Sequence, residues 1–101
     1  MGSEILDEIF AVIMDRIKNP RPDSYVCRVL SEGMAADKVE EESRELLEAA
    51  DGGGKDEIIH EAADLIFHVM VLLAKTGVRL DEVMKELERR KKKNEAERRK
   101  R

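Results

Sequence analysis

Residues 61–74 read Glu-Ala-Ala-Asp-Leu-Ile-Phe-His-Val-Met-Val-Leu-Leu-Ala. Apart from Asp64 and His68, every residue after the first is apolar. A run of this kind without proline or glycine predicts the second half of a helix, over residues 56–76, that is apolar nearly all round. One small four-helix domain covers only part of such a surface, so the remaining side predicts a subunit interface, most simply that of a two-fold dimer. The alternative is the central helix of a monomer.

The carboxylate of Asp64 is out of place in this run. An unpaired charge in an apolar helix costs several kcal/mol or changes its protonation, so Asp64 requires a partner. Glu61, Asp64 and His68 lie on one stripe of the helix because they are three and four residues apart. A Lys or Arg from another helix is one candidate partner. The second negative charge, Glu61, instead favours a cation held between several acids.

A second acidic block precedes the run, in the sequence Glu41-Glu42-x-x-Glu45. Two carboxylates three residues apart on a helix lie on one face, about 5–6 Å apart at Cβ. On neighbouring antiparallel helices, the pairs Glu42/Glu45 and Glu61/Asp64 would converge four oxygen ligands on one point. Oxygen ligands suit a hard cation such as Mg²⁺ or Mn²⁺, and Mg²⁺ sites commonly include substrate phosphates. The two blocks therefore predict a metal-dependent enzyme that acts on a phosphorylated compound.

The composition predicts a single all-α domain. The chain has 101 residues, of which 42% are charged and only 3% aromatic. No apolar stretch is long enough to span a membrane, no secretory signal is recognised, and the single cysteine, Cys27, fits a reducing compartment, so we expect a cytoplasmic protein. Periodicity and turn residues predict helices over 4–18, 34–50 and 56–76 and from about Leu80 onward, with a short helix or turn over 23–30.

Charge is unevenly distributed along the chain. Residues 1–84 carry a net charge of −10 and residues 85–101 one of +6. A basic end is compatible with nucleic-acid binding, but here glutamates alternate with the cations and no aromatic side chain is present for base stacking. We therefore expect a domain over 1–90 and a basic tail over 91–101 that frays from a solvated helix end, with no nucleic-acid partner.

Three further segments place the acidic blocks in a known order. Ser24-Tyr25 follows the first helix, Lys38 precedes the paired glutamates, and the block at 61–65 runs on to His68. In this order the sequence resembles phosphoribosyl-ATP pyrophosphohydrolase, the family that catalyses the second step of histidine biosynthesis. That family belongs to the all-α, MazG-like nucleoside-triphosphate pyrophosphohydrolases. The resemblance implies a four-helix MazG-like bundle that is completed by dimerisation.

The resemblance also implies roles for individual residues. The metal ligands would be Glu42, Glu45, Glu61 and Asp64. Glu41, one residue off their stripe, would be the catalytic group that holds the attacking water. The substrate would be bound by Arg16, Lys18, Ser24, Tyr25, Lys38 and His68. For His68 the alternative is a core residue with satisfied hydrogen bonds, and His60 is expected at the surface.

The implied reaction is hydrolysis of phosphoribosyl-ATP to phosphoribosyl-AMP and pyrophosphate at the α–β phosphoanhydride. Mg²⁺, or Mn²⁺ in its place, would offset the phosphate charge and act as a Lewis acid. One alternative is a housecleaning hydrolase of ordinary or non-standard nucleoside triphosphates with the same fold. Outside enzymes, the alternatives are a metal-binding or a nucleic-acid-binding helical module. Association with phosphoribosyl-AMP cyclohydrolase, the next enzyme of the pathway, is a further expectation.

Overall fold

A computed structural model describes residues 3–99, except for the side chain of Ser3, and within that range it contains five helices and no strand. The all-α prediction is therefore confirmed. The helices are α1 (Ser3–Lys18), α2 (Tyr25–Ser31), α3 (Ala35–Ala50), α4 (Lys55–Thr76) and α5 (Leu80–Arg99). The predicted starts and ends of the first, third and fourth helices agree with these bounds to within one residue. The structure has five helices where four were predicted, because the segment over 23–30, predicted as a short helix or turn, contains the helix α2.

Local hydrogen bonds explain where two of the helices begin and end. Ser24 caps α2, and its hydroxyl accepts a hydrogen bond from the Cys27 backbone N–H at 3.3 Å. Gly77 ends α4 with a φ of 81°, a left-handed conformation that glycine adopts without a steric penalty. These two residues therefore mark the start of α2 and the end of α4.

The turn between α3 and α4 is tight and depends on glycine. The Gly53 N–H donates to the Ala49 carbonyl oxygen at 2.8 Å. A Cβ atom at Gly53 would lie 2.5 Å from that same oxygen, which is closer than side chains are found to approach. Because the turn is this short, α3 and α4 run antiparallel and form the most extensive helix pair of the molecule. Their packing brings the two acidic blocks to adjacent positions.

A small apolar core holds α1, α2 and α4 together. Ile13 of α1 and Val71 of α4 are its fully buried centre. Each such side chain contributes about 1.5–3 kcal/mol when it leaves water. The remaining buried members are Phe10, Val26, Val29, Ala35, Met70, Ala74 and Leu80. The core therefore lies toward the C-terminal half of α4, and the acidic blocks lie beyond its edge.

The molecule is elongated. Its radius of gyration is 16.2 Å and its extents are 56 × 36 × 24 Å, whereas a compact domain of this length has a radius of about 13 Å. The helix α5 accounts for much of the difference, because only its first turns pack on the body, where Leu80 is buried and Met84 is half-buried. From Leu87 onward, the described residues of α5 are all exposed.

The end of α5 differs from the predicted loose tail. The helix does not stop near residue 90 but continues to Arg99, and Lys100 and Arg101 lie outside the described residues. Ion pairs one turn apart support it: Arg90 lies 2.9 Å from Glu86, and Lys92 lies 3.3 Å from Glu88. The domain boundary at residue 90 stays a prediction. Among residues 3–99, no helix combines the length and the apolarity needed to cross a membrane.

Candidate metal centre and active site

Carboxylates from α3 and α4 meet at the open edge of this helix pair. Oxygens of Glu42, Glu45 and Glu61 all lie within 4.8 Å of one another. Atoms of Glu61, Asp64 and His60 form a second group with the same limit of 4.8 Å. Glu61 belongs to both groups, so the four predicted metal ligands are neighbours. We call these four carboxylates the acidic cluster.

Glu42 is the member of the acidic cluster that has a buried oxygen without a hydrogen-bond partner among the described residues. Its residue is only 7% exposed, and its Oε2 atom is buried without a hydrogen-bond partner among the described residues. Burial, followed by hydrogen bonding to Glu45 and repulsion by Glu45, Asp64 and Glu61, raises the pKa of Glu42 to about 7. Buried polar atoms are nearly always paired, so this oxygen indicates a missing partner.

Glu61 experiences the same repulsion. Burial, then hydrogen bonding to Glu45 and the charges of Glu45 and Asp64, raise its pKa, while the charge of His60 lowers it. Both raised pKa values express the cost of holding several negative charges together without a cation. A hard divalent ion with oxygen ligands would remove that cost, so the residues fit Mg²⁺ or Mn²⁺.

Asp64 is more exposed than the apolar run around it predicts. Its side chain is 39% exposed, whereas His68, one turn further along the same stripe, is buried. No Lys or Arg among residues 3–99 pairs with it. Its neighbour is instead His60, whose Nε2 lies 3.2 Å from Asp64 Oδ2 and 3.7 Å from Glu61 Oε1. His60 is exposed, as predicted, but it also borders the acidic cluster. The spacing of four residues between His60 and Asp64 could have predicted this contact, because such residues lie on one face of a helix.

Glu41 and Lys38 form a pair beside the acidic cluster. The Lys38 Nζ donates to Glu41 Oε2 at 3.3 Å, and their side chains are 22% and 46% exposed. The hydrogen bond to Glu41, and then the charges of Tyr25 and Glu41, raise the pKa of Lys38. Glu41 belongs to neither group of potential ligands, in line with its offset of one residue along the helix.

His68 is a core residue with satisfied hydrogen bonds. It is 5% exposed. Its Nδ1 hydrogen-bonds the Asp64 carbonyl oxygen at 2.8 Å, and its Nε2 hydrogen-bonds the Tyr25 hydroxyl at 2.9 Å. His68 thus has no free ring nitrogen to offer a substrate. Its observed role is to join Tyr25 of α2 to the turn of α4 that carries Asp64.

Three further residues predicted to bind substrate, Arg16, Lys18 and Ser24, are not part of either group of potential ligands. Arg16 is half-buried and pairs with Asp15 at 2.8 Å, and Lys18 is exposed as the last residue of α1. Ser24 is occupied as the cap of α2. These residues lie at the end of α1 and immediately before α2.

The geometry can be compared with known proteins. The profile of a family described as phosphoribosyl-ATP pyrophosphohydrolase matches residues 6–91. The chain belongs to the phosphoribosyl-ATP pyrophosphohydrolase family. The match spans the whole acidic cluster and ends inside α5, so the predicted assignment to this family is confirmed, and with it the prediction of a hydrolase of histidine biosynthesis.

Named relatives agree with this membership of the phosphoribosyl-ATP pyrophosphohydrolase family. A phosphoribosyl-ATP pyrophosphatase of Methanocella arvoryzae is 45% identical over 94 residues, which cover 89% of this chain and 99% of the relative. One of Saccharolobus islandicus is 44% identical over 94 residues, covering 91% and 100%. One of Sulfurisphaera tokodaii is 42% identical over 92 residues, covering 89% and 98%. The similarity therefore extends over nearly the full length of each relative.

Proposed function

We propose that this chain hydrolyses phosphoribosyl-ATP to phosphoribosyl-AMP and pyrophosphate with Mg²⁺ as cofactor, and that Mn²⁺ can replace it. The observation that carries the proposal is the buried, unpartnered Oε2 of Glu42 inside a group of like charges. A protein does not keep such an arrangement for stability, because it destabilises the fold unless a cation is bound. Binding of a metal ion together with a phosphate substrate would account for why these carboxylates are held together.

In this proposal Glu42, Glu45, Glu61 and Asp64 hold the metal ion. When bound, the ion offsets charge on the phosphate oxygens and polarises the anhydride as a Lewis acid. The four carboxylates fix its position relative to α3 and α4, and their negative charge binds the polyanionic substrate only when the ion is present. Substrate binding is therefore expected to depend on Mg²⁺.

Glu41 is the proposed general base. Its carboxylate lies next to the acidic cluster but outside it, which suits a group that orients the attacking water and accepts its proton. Water adds to a phosphorus of the α–β anhydride, the bridging oxygen leaves with the other phosphate, and the proton passes to Glu41. Lys38, 3.3 Å from Glu41, keeps that carboxylate in place and adds positive charge on the phosphate side.

The active form is proposed to be a homodimer with a MazG-like bundle. Eleven large hydrophobic side chains among the described residues are exposed. On α4, Ile59, Ile66 and Val69 are 56%, 49% and 37% exposed, and their spacing places them on one stripe. Together with the elongated shape, this stripe supports burial against a second copy. Sedimentation should give a dimer for the native chain and a monomer for Ile66→Glu; a native monomer would contradict the proposal.

The experiment that tests the function is a competition assay. Phosphoribosyl-ATP and a mixture of deoxynucleoside triphosphates are supplied together with Mg²⁺, and pyrophosphate release from each is measured. Preferential hydrolysis of phosphoribosyl-ATP is expected. Preference for the ordinary triphosphates would instead make the chain a housecleaning hydrolase, and absence of turnover on both would contradict an enzymatic role.

The proposed setting is the cytoplasm, where the product is the substrate of phosphoribosyl-AMP cyclohydrolase. Association with that enzyme is part of the proposal. Co-purification of the tagged native chain with the cyclohydrolase is the expected result, and independent elution of the two at micromolar concentrations would contradict it.

A further inference from the structure

A second cavity lies away from the acidic cluster, where the end of α1, the α1–α2 loop, α2 and the end of α4 meet. Its volume is about 670 Å³. The charged residues that line it are all basic: Arg16, Arg21, Arg28 and Lys75. We call this space the basic cavity.

The concentration of positive charge at the basic cavity is unusual for this chain. Residues 1–84 contain nineteen acidic residues and only nine basic ones. Four of those nine line this one cavity, and none of the nineteen acids does. Clefts lined by one sign of charge attract ligands of the opposite sign. The cavity is therefore suited to an anion in a protein that is otherwise acidic.

The cations of the basic cavity are available to a ligand. Among residues 3–99, neither Arg21, Arg28 nor Lys75 forms an ion pair, and all three are exposed. Arg16 pairs only with Asp15, its neighbour in the chain, at 2.8 Å. By contrast, Arg89 and Arg90 of α5 are both engaged by a glutamate.

The α1–α2 loop, which carries Arg21, is hydrogen-bonded to a residue that lines the cavity. The Cys27 thiol accepts a hydrogen bond from the Arg21 backbone N–H at 3.3 Å and donates to the Arg16 carbonyl oxygen at 3.4 Å. One side chain of α2 thus ties together the end of α1 and the loop after it. The backbone at two of the four basic residues, Arg16 and Arg21, is therefore anchored to α2.

The basic cavity and the acidic cluster lie along the same helix. Asp64 and Lys75 are eleven residues apart on α4, which corresponds to about 16 Å along the helix axis. Tyr25 lies between the two sites. The Arg28 guanidinium is 5.3 Å from the centroid of the Tyr25 ring. The Tyr25 hydroxyl is hydrogen-bonded to His68, which is hydrogen-bonded to the Asp64 carbonyl oxygen. A single extended ligand can therefore face both sites.

The proposed substrate has that form. Its triphosphate is attached to one ribose, and the phosphoribosyl group is attached to the adenine, so a phosphomonoester lies at the end opposite the triphosphate. We infer that the basic cavity binds this phosphomonoester through Arg21, Arg28 and Lys75 and so selects phosphoribosyl-ATP over ATP, which lacks it. This inference rests on the function proposed above and adds a determinant of substrate specificity to it.

The test compares two substrates in one double variant, Arg21→Gln/Lys75→Gln. Its KM for phosphoribosyl-ATP should rise by roughly tenfold or more, because two charge-assisted hydrogen bonds to the phosphate are lost. Slow hydrolysis of ATP at high enzyme concentration should change by less than about twofold, since ATP has no group to place in the cavity. The ratio of the two kcat/KM values is the quantity measured.

A matched control separates a local effect from a general one. Lys93→Gln/Arg98→Gln also removes one lysine and one arginine, both exposed on α5 and without ion pairs among residues 3–99. It should leave both KM values unchanged. An equal loss for both substrates in Arg21→Gln/Lys75→Gln, or the same loss in the control, would overturn the inference. If the native chain does not hydrolyse phosphoribosyl-ATP at all, the proposed function fails and the inference with it.

Ribose 5-phosphate distinguishes the substrate's own phosphate from a separate phosphorylated ligand. It should inhibit hydrolysis of phosphoribosyl-ATP competitively in the native chain, and Arg21→Gln/Lys75→Gln should be inhibited at least about tenfold less. Binding of ribose 5-phosphate without competition would show that the cavity serves another ligand and would overturn the inference. This measurement remains informative even where the double variant has lower thermal stability.

Discussion

Glutamates of this protein occupy two opposite environments. In the acidic cluster, Glu42 is buried among other carboxylates, and its pKa is raised to about 7. On α5, Glu86 is bonded by Arg89 and Arg90, which lower its pKa to about 2. The negative charge of Glu86 is thus paired with cations of its own helix. The carboxylates of the acidic cluster lie close to one another without a Lys or Arg partner among residues 3–99, and the proposed metal ion would supply the missing positive charge.

The largest effect is expected when a ligand of the acidic cluster loses its charge. Asp64→Asn keeps the shape of the side chain but should lower Mg²⁺-dependent turnover by roughly 100-fold or more, the scale of losing one charge-stabilising group at a reacting phosphate. Steady-state assays over a range of Mg²⁺ concentrations measure this. Glu88→Gln on α5, where Glu88 pairs with Lys92, is the control and should retain full turnover. Turnover of Asp64→Asn within a few-fold of native would exclude it as a ligand.

A smaller effect is expected at the border of the acidic cluster. Glu41→Gln should lower kcat by roughly 100-fold, the lower end of what a general base contributes, and should leave the apparent affinity for Mg²⁺ nearly unchanged. Kinetic titration with Mg²⁺ distinguishes kcat from metal affinity. Weakened metal binding would instead place Glu41 among the ligands.

The repulsion inside the acidic cluster should also appear in the stability of the metal-free protein. The pKa of Glu42 is raised from 4.5 to about 7 in the folded state, so its protonated form favours folding, and this contribution is lost as the pH rises through about 7. In EDTA the Tm should fall by roughly 5 °C between pH 6 and pH 8.5. Mg²⁺ should restore the stability at pH 8.5.

Glu42→Gln is the matched variant for this measurement. It should be more stable than the native chain at pH 8.5 in EDTA and should flatten the dependence of Tm on pH, since the titrating group is gone. A native Tm that is constant or rises over this pH range would contradict the assigned repulsion.

The smallest effect is expected for the paired charge of Glu86 on α5. Arg89 and Arg90 lower the pKa of Glu86, so the stability it contributes is present above pH 4.5 and is lost as the pH falls toward about 2. Because these groups are exposed, Glu86→Gln should change the Tm at pH 7 by no more than roughly 1 °C and should leave turnover unchanged. Thermal unfolding of the native chain and the variant at pH 7 and pH 3 measures the stability change, and a steady-state assay measures turnover. A loss of several degrees in Tm at pH 7 would show that this part of α5 is integral to the fold.

Most of the helical pattern was predictable from local sequence signals. Glycines and prolines end the first, third and fourth helices, and periodic apolar residues define their lengths. The full length of α5 is not predictable from composition alone, because a run of charged residues is typical of a solvated, fraying end. The spacing of these charges nevertheless allows ion pairs within one helix, such as that of Arg90 with Glu86. Local pairing, not burial, maintains that segment.

The site was only partly predictable. The spacing of the carboxylates predicted four oxygens around one point; the structure places Glu42, Glu45 and Glu61 in one group and Asp64 with Glu61 and His60 in another, and their role as ligands stays a prediction. The exposure of Asp64, at 39%, was not predicted, because the apolar character of its neighbours does not reveal which side of a helix the other helices cover. The basic cavity was not predictable from the sequence either, because Arg21, Arg28 and Lys75 come from three separate segments that only the folded chain brings together.

The tight turn at Gly53 has a consequence for how this sequence can vary. Fifteen residues separate Glu45 from Glu61, and they consist of the end of α3, the turn and the start of α4. One residue inserted within either helix would rotate the carboxylates beyond it by about 100° around the axis and move them off the shared edge. The segment thus acts as a spacer of fixed length, and insertions or deletions should be tolerated at the end of α5 but selected against between these two glutamates.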